Sequence, residues 1–235
     1  MRYFLIFSLI LVFILPLSGQ DTINKTDNRN LKRGYWRKTD TNGKKIYEGH
    51  FRDNIPFGVF TYYYPTGQVK ARSKLYSNGK QSFTTTYFNN GFKMAEGHFI
   101  NERRDSLWKF YSEYDGKLVA EEGYINGKKN GVSRTYYAGE GVAEIMTWNN
   151  GSREGNWEQY FSDGKLKLKG LYKNDENEGE VTAYYPSGKV LYSGHYHNGL
   201  RIGTWNYYDD KGKIEKKESY KNGMLVKEEG IGNRQ

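Results

Sequence analysis

A repeat with a period of about 24 residues constrains this chain more than any other feature. Glycines that close a short polar turn recur with spacings of 24, 24, 25, 25, 23, 24 and 24 residues. They are Gly43, Gly67, Gly91, Gly116, Gly141, Gly164, Gly188 and Gly212. A fixed period in this range is the signature of a repeat protein, in which each unit is one small supersecondary motif. We therefore expect about eight copies of one motif.

A second periodic column, made of asparagine, lies halfway between the turn glycines. Its members are Asn54, Asn78, Asn101, Asn126, Asn150, Asn174, Asn198 and Asn222, and Gly follows five of the eight. Asn-Gly between extended runs favours a hairpin, because both central residues of a type I′ turn need positive φ. The runs between turns are too short for helices. The sequence predicts an all-β fold, an elongated single-layer antiparallel β-meander of tandem ~24-residue hairpin repeats in about 8 units.

Three units lack Gly after the asparagine, and in two of them an acidic residue takes its place. Glu102 follows Asn101 and Asp175 follows Asn174, where the other units favour Gly. A side chain at a position that needs positive φ is strained more often than glycine. We expect the third and sixth units to form the least regular hairpins.

The ends of the chain differ from the repeats. Residues 1–19 join an early Arg2 to an apolar run and a small-residue exit, which is typical of a signal peptide. We expect a flexible leader at 20–33, the repeat array at 34–224 and a C-terminal tail at 225–235. The predicted location is the periplasm, the outer envelope or the exterior, with anchoring by an uncleaved N-terminal helix as the alternative. The sequence contains no cysteine, so no disulfide is expected.

Aromatic residues make up 17% of the chain and also recur in columns. One column precedes the polar turn and includes Tyr137. Three residues earlier stand Phe60, Trp108, Trp157 and Trp205, replaced in other units by Thr84, Arg134 and Val181. Because side chains three apart on a strand point to opposite faces, we expect one packed aromatic face and one partly exposed aromatic face. Glycines at 49, 97, 123, 170 and 194 are predicted to make room for a neighbouring ring.

Charge offers a second candidate surface. The formal net charge is +9, and several lysines follow a turn glycine, which would place them in a row along one edge. The candidate binding surface consists of Trp108, Trp157, Trp205, Lys117, Lys165, Lys189 and Lys213. Such a row suits an anionic lipid or glycan, although a solvated edge is the favoured interpretation. The 27 acidic residues mixed into the chain disfavour nucleic acid as a partner.

Two of the four histidines, His195 and His197, lie two positions apart and would share one face of a strand. A metal site needs a third ligand nearby. The corresponding positions in the adjacent units hold Leu171 with Lys173 and Ser219 with Lys221, which supply none. We predict no metal site here, and no cofactor site elsewhere.

The repeated residues resemble a known family. They are Tyr124, Asn126, Gly127, Trp148, Asn150, Gly151, Tyr196, Asn198 and Gly199. In this pattern the units are similar to MORN repeats, and specifically to the bacterial variant found in antitoxin-like proteins. The resemblance implies an array of β-hairpins used for protein or membrane-surface contacts, without catalysis of its own.

Enzymatic function would require side chains that occur once and converge in space. The polar groups of this chain are copies of one another, so we expect no enzyme. The predicted function is an exported, non-enzymatic repeat scaffold that binds a protein partner or assembles at the envelope. The alternatives are a binder of anionic lipid or glycan and an antitoxin-like component of a toxin–antitoxin system.

Overall fold

A computed structural model describes residues 23–138 and 141–230. The described residues contain 19 strands, joined by turns into a single antiparallel sheet. The all-β meander of hairpin repeats predicted from the sequence is confirmed. The predicted signal peptide at 1–19 lies outside the described residues.

The strands follow one another closely along the chain. They are β1 (Lys25–Thr26), β2 (Lys32–Thr39), β3 (Lys45–Arg52), β4 (Ile55–Tyr63), β5 (Val69–Tyr76), β6 (Gln81–Tyr87), β7 (Lys93–Ile100), β8 (Arg103–Tyr111), β9 (Leu118–Ile125), β10 (Lys128–Lys129), β11 (Gly131–Tyr136), β12 (Val142–Asn149), β13 (Ser152–Tyr160), β14 (Leu166–Lys173), β15 (Glu176–Tyr184), β16 (Val190–His197), β17 (Leu200–Tyr208), β18 (Ile214–Lys221) and β19 (Met224–Gly230).

Each strand pairs with the strands that precede and follow it in sequence. The one variation is at β9, which pairs with both β10 and β11. Short turns enforce this order, because a strand that leaves a tight turn can only pair back on the strand before it. The first and last strands therefore lie at opposite ends of the sheet.

The asparagine turns have the geometry that the sequence predicts. Asn126 and Gly127 have φ values of 51° and 82°, so both lie in the left-handed region that a type I′ turn requires. Glu102 and Asp175 adopt the same region, with φ of 63° and 68°. The third and sixth units thus form the same two-residue hairpin as their neighbours, and the expected irregularity is not seen there.

Two other hairpins are irregular instead: the fourth, whose second strand is split into β10 and β11, and the second, β5–β6. Most other hairpins of this kind contain a register shift that inserts a bulge, as β16–β17 does between Ser193 and His195. The β5–β6 ladder runs from Ala71 to Tyr76 with no shift, and a longer turn over Ser77–Gly79 joins its strands.

The boundaries of the array are corrected at both ends. β1 and the start of β2 fall inside the expected leader, and β19 occupies most of the expected tail. The charged segment at 213–223 contributes β18, which is paired on both sides. The strand at this end of the sheet is β19, whose residues are all exposed.

One row of side chains runs across the strands on one face of the sheet. This central row follows direct cross-strand pairs, such as Phe60 with Ser73, Ser73 with Thr84 and Trp205 with Glu218. We call the face that carries it the ring face. The row contains Trp36, Gly49, Phe60, Ser73, Thr84, Gly97, Trp108, Glu122, Ser133, Met146, Trp157, Gly170, Val181, Gly194, Trp205 and Glu218. Most of its members are buried, so it forms the core of this single-layer sheet.

The glycines of the central row make room for rings. A Cβ built on Gly97 would lie 2.5 Å from the Trp108 ring, and one on Gly194 would lie 2.2 Å from the Trp205 ring. No real Cβ approaches a ring atom so closely, so these two hairpins each pack a large ring over a glycine. The predicted role of glycine is therefore confirmed at these positions. Gly123 differs, because a Cβ built on it would lie 2.3 Å from the carbonyl oxygen of Asn130 rather than against a ring.

Candidate binding surfaces

The tryptophans predicted to form a binding surface are largely inaccessible. Trp108 and Trp205 are 1% and 0% exposed. Both indoles lie over the glycine of their own hairpin, and neighbouring rings cover them, with Phe99 at 4.9 Å from Trp108 and Tyr196 at 5.1 Å from Trp205 between centroids. The prediction that Trp108 and Trp205 contact a partner is wrong, because a ring that packs over the glycine of its own hairpin is buried in the core.

Trp157 is half-buried, and its Nε1 donates to Glu144 at 2.8 Å.

Two other expectations for the aromatic columns need correction in the fourth unit. Ser133, rather than Arg134, occupies the central row there, since Ser133 pairs with Met146. Likewise Tyr136, rather than Tyr137, is the counterpart of the other pre-turn tyrosines.

A charged cluster covers the ring of Trp205. The Arg201 guanidinium lies 4.1 Å from the ring centroid, and its Nη1 donates to the Tyr220 hydroxyl at 3.0 Å. Buried Glu218 accepts hydrogen bonds from the Tyr220 hydroxyl at 2.9 Å, the Tyr207 hydroxyl at 2.6 Å and Lys216 Nζ at 2.5 Å. Burial opposes ionisation of Glu218, but these donors outweigh it and lower its pKa to about 2. Glu218 is thus a charged carboxylate within the core.

The same cluster recurs around Trp108. Arg104 lies 4.6 Å from the Trp108 centroid and donates to the Tyr124 hydroxyl at 3.2 Å. Glu122 accepts from Tyr124 at 2.5 Å and from Lys129 Nζ at 2.6 Å. The two tryptophans differ in one respect. The Trp108 indole donates to the His98 carbonyl at 3.0 Å, whereas the Trp205 Nε1 finds no acceptor among the described residues.

The predicted lysines lie exposed along the edge formed by the glycine turns. Two of them bind the neighbouring turn. Lys165 Nζ donates to the Pro186 carbonyl at 3.0 Å, and Lys189 Nζ donates to the Asp210 carbonyl at 2.8 Å. Lys117 and Lys213 are exposed on the same edge. The lysine row therefore serves in part as a set of links between successive units.

The residues that carried the family resemblance have structural roles. Tyr124 is buried against Trp108, Trp148 Nε1 donates to Ser133 at 2.8 Å, and Tyr196 packs on Trp205. The turn pairs Asn126–Gly127, Asn150–Gly151 and Asn198–Gly199 all have positive φ. A backbone N–H of each such turn also donates to the preceding unit, as Gly151 does to Lys129 at 2.8 Å and Gly199 to Asn177 at 3.0 Å.

The histidine pair behaves as part of a hairpin. His197 Nδ1 lies 3.0 Å from Glu178 Oε1, and both His195 and His197 are exposed. Glu178 also accepts from the backbone N–H of Asn198 at 2.9 Å, and this bond lowers the Glu178 pKa. Across the part of the chain that the structure describes, no three acidic, histidine or cysteine side chains are grouped as metal ligands.

The face opposite the central row carries a surface that the sequence analysis missed. Val59, Phe83, Leu107 and Val132 lie one residue before the central-row position of four successive hairpins, and we call them the apolar row. Val59, Leu107 and Val132 are 51%, 47% and 41% exposed. Register places them on one face, because Val59 pairs with Lys74, which pairs with Phe83. At about 4.8 Å per strand, the row spans roughly 30 Å.

The apolar row ends midway along the sheet. The corresponding positions in the later hairpins are the exposed polar residues Asn156, Glu180 and Thr204. The chain could have revealed this contrast, because the four apolar residues recur with the repeat period. The adjacent tryptophan column dominates the pattern and obscures these four residues.

Carboxylates flank the apolar row on the same face. Glu96 and Glu121 accept from the hydroxyls of Tyr111 and Tyr136, and Glu48 accepts from Tyr63 and, at 2.6 Å, from Tyr35. Desolvation opposes ionisation of Glu48, but the phenol hydroxyls and the Lys45 ammonium outweigh it and lower its pKa to about 2. These pairs fix the orientation of the pre-turn tyrosines.

The ring face is open at the second hairpin. A pocket of about 490 Å³ lies where the central row holds Ser73 and Thr84 instead of a glycine and a large ring. Its lining consists of Tyr47, Phe51, Pro56, Phe60, Tyr62, Ser73, Leu75, Gly79, Lys80, Ser82, Thr84, Phe99 and Glu102. The hydroxyls of Ser73, Ser82 and Thr84 form its buried floor.

In residues 23–138 and 141–230, no helix is long and apolar enough to cross a membrane.

Comparison with known proteins supports the repeat and little else. The family described as MORN repeat variant matches residues 58–78, 153–174, 177–198 and 201–222. No curated protein matches this chain. A crystal structure of TarM aligns with 38% of this chain and 18% of its own at 15% identity and a TM-score of 0.30, a likeness that carries no argument. The four matched segments, which lie in a sheet that repeats one hairpin, identify these units as repeats of the MORN variant family.

Proposed function

We propose that this protein is an exported, non-enzymatic scaffold that binds a partner protein through the apolar row. MORN repeats suggest a repeat scaffold for protein or membrane interaction. The observation that carries the proposal is the row of Val59, Phe83, Leu107 and Val132 on one face. Exposed apolar side chains that recur on one face, here on alternate strands with Lys74 and His98 between them, are a candidate interaction site.

The contrast within the molecule supports a localised contact. Asn156, Glu180 and Thr204 are polar at the equivalent positions of the later hairpins, with Leu171 opposite Asn156 as an apolar neighbour, although both halves share the same backbone. The apolar side chains are thus not needed to form the fold. A protein surface that excludes water is the partner chemistry that such a row fits best.

An anionic lipid or glycan is a weaker alternative. Two of the three tryptophans assigned to that surface are buried, and Lys165 and Lys189 each bind the carbonyl of a neighbouring turn. An antitoxin-like role has no support beyond the family resemblance. Export rests on the apolar segment at 1–19, and fractionation of native cells should recover the chain in the envelope or medium.

Site-specific photo-crosslinking tests the partner surface. A photoreactive residue at Leu107 should give a discrete crosslinked species in the native envelope. The same residue at Thr204, the equivalent position four units along the array, is the matched control and should give none. Equal crosslinking from both positions would contradict the proposal.

Substitution tests the same surface by affinity. Leu107→Thr combined with Val132→Asn introduces the residue types that the later hairpins carry at these positions. Partner capture should fall by at least about tenfold, which is typical of losing a central apolar contact. Thermal unfolding should change little, since both side chains are exposed. Unchanged capture would rule out the apolar row as the contact.

A further inference from the structure

The pocket of the second hairpin lies where four other units hold a ring. Along the central row, Phe60, Trp108, Trp157 and Trp205 occupy the position that Thr84 occupies in this hairpin. Phe60 on one side and Phe99 on the other line the space that remains. The gap is therefore bounded by aromatic side chains and matches the place of one aromatic side chain.

Three hydroxyl groups form the floor of the pocket. Ser73 Oγ lies 2.9 Å from Thr84 Oγ1, and Ser82 Oγ lies 3.2 Å from the same atom. The residues are 8%, 9% and 6% exposed for Ser73, Ser82 and Thr84. Two bonds among three hydroxyls use two hydrogens, so one donor and several lone pairs are left among the described contacts. A buried polar group in this state favours a ligand that hydrogen-bonds with it.

We propose that this pocket binds a tyrosine or tryptophan side chain presented by a peptide segment of another protein. The ring would pack between Phe60 and Phe99, and its hydroxyl or indole N–H would bond with the Ser73 and Thr84 hydroxyls. Lys80 and Glu102, which also line the pocket, offer charged groups to the peptide backbone. A volume of about 490 Å³ is in the range of small-ligand sites.

This site is independent of the apolar row. Ser73, Ser82 and Thr84 lie on the ring face, whereas Phe83, between two of them, points to the opposite face. A result at one surface therefore does not decide the other. The pocket also offers what the apolar row lacks, which is a concave site with a polar floor.

Short peptides provide the probes. N-acetylated, amidated Gly-Tyr-Gly, Gly-Phe-Gly and Gly-Leu-Gly are titrated into the full chain and followed by NMR shift changes. The Tyr peptide should bind with a Kd on the order of millimolar, because one side chain supplies little area. It should bind about fivefold more tightly than the Phe peptide, since one neutral hydrogen bond distinguishes them. The Leu peptide should bind most weakly.

Two variants locate the binding. Ser73→Gly with Thr84→Trp rebuilds the glycine and ring pair of the other hairpins and should abolish binding. Thr84→Val removes one floor hydroxyl while keeping its shape, and it should erase the preference for Tyr over Phe. Thr85→Trp adds a ring at the next residue on the opposite face, and it should leave binding unchanged.

The outcomes separate cleanly. Absence of binding for both aromatic peptides, or binding that survives the filled pocket, would overturn the proposal. Binding of p-cresol without binding of the Tyr peptide would also overturn it, in favour of a free aromatic ligand. The unfolding midpoint of the filled variant is measured alongside, and a folded variant without binding supports the proposal.

Discussion

The second and seventh hairpins have the same sequence period and opposite interiors. In the seventh, β16–β17, a bulged ladder folds Trp205 over Gly194 and leaves it 0% exposed. In the second, β5–β6, an unshifted ladder sets Ser73 opposite Thr84 and leaves a pocket. The difference shows that a hairpin of this family folds with or without its central ring. Ring packing is thus a source of stability, and its absence makes room for a ligand.

The largest expected difference in stability between the two hairpins comes from removing the Trp205 ring. Trp205→Ala should lower the free energy of unfolding by about 4 kcal/mol, because it removes a large, wholly buried side chain and leaves a cavity. Thr84→Ala, its counterpart in the second hairpin, should cost less than about 1 kcal/mol, because the pocket is already open. Urea denaturation of both variants measures the contrast. Similar losses at both positions would show that the pocket contributes to the core.

The next effect is closure of the glycine notch. Gly194→Ala should destabilise by about 3 kcal/mol, since its Cβ would lie 2.2 Å from the Trp205 ring. Ser73→Ala is the control, because Ser73 already has a Cβ and its partner within the hairpin is Thr84 rather than a ring. Thermal unfolding should show a clear decrease in Tm for the first and a small change for the second. A neutral Gly194→Ala would mean that Trp205 moves out of the notch without cost.

A smaller effect follows from the carboxylate beside Trp205. Glu218→Gln should cost about 2 kcal/mol at neutral pH, because it removes the charge that three donors surround. The folded pKa of Glu218 is about 2, below the ordinary 4.5. Its stabilisation is therefore complete above about pH 4.5 and is lost as the pH falls toward 2.

The pH profile is the check on this prediction. Denaturation from about pH 6 to pH 2 should show the wild type and the Gln variant converging as the pH falls. The second hairpin has Thr84 and Ser73 in place of such a cluster, so Thr84→Ala should run parallel to the wild type. A constant gap between wild type and Glu218→Gln would mean that hydrogen bonding rather than charge is responsible.

The smallest expected effect is a gain. Ser73→Gly with Thr84→Trp should raise the free energy of unfolding by about 1 kcal/mol, because a new ring is buried between Phe60 and Phe99. The single Thr84→Trp variant should be less stable than the double variant, since the Ser73 side chain would obstruct the ring. Tm measurements on the two variants decide this. A double variant less stable than the single one would show that the unshifted ladder rejects the ring.

The sequence predicts most of the fold, because turn chemistry is local. The residues of Asn126–Gly127 and its counterparts themselves favour the positive φ that the turn needs. The periodic glycines of the central row indicate by their spacing that large side chains pack beside them. Alternation on a strand also separates the two faces correctly. It does not indicate which face is buried, and this is why Trp108 and Trp205 were assigned to a binding surface.

The candidate sites were harder to predict, because they depend on how neighbouring side chains pack. Thr84 is visible in the sequence as a departure from the tryptophan column. The resulting space exists only because Phe60 and Phe99 do not move into it. Counting by columns also fails where a unit gains a residue, since one insertion moves Ser133 and Tyr136 into the positions expected for Arg134 and Tyr137.

The strictly sequential pairing of the strands has a mechanical consequence. Since β1 and β19 lie at opposite ends of one sheet, tension applied between the chain ends loads every hairpin in series. Such a sheet gives way by peeling from an end, one hairpin after another, rather than by a single rupture. The second hairpin lacks the ring that packs over glycine in the third and seventh, so it has less buried packing to resist that load. Held at both ends of the sheet, the described residues would extend in graded steps.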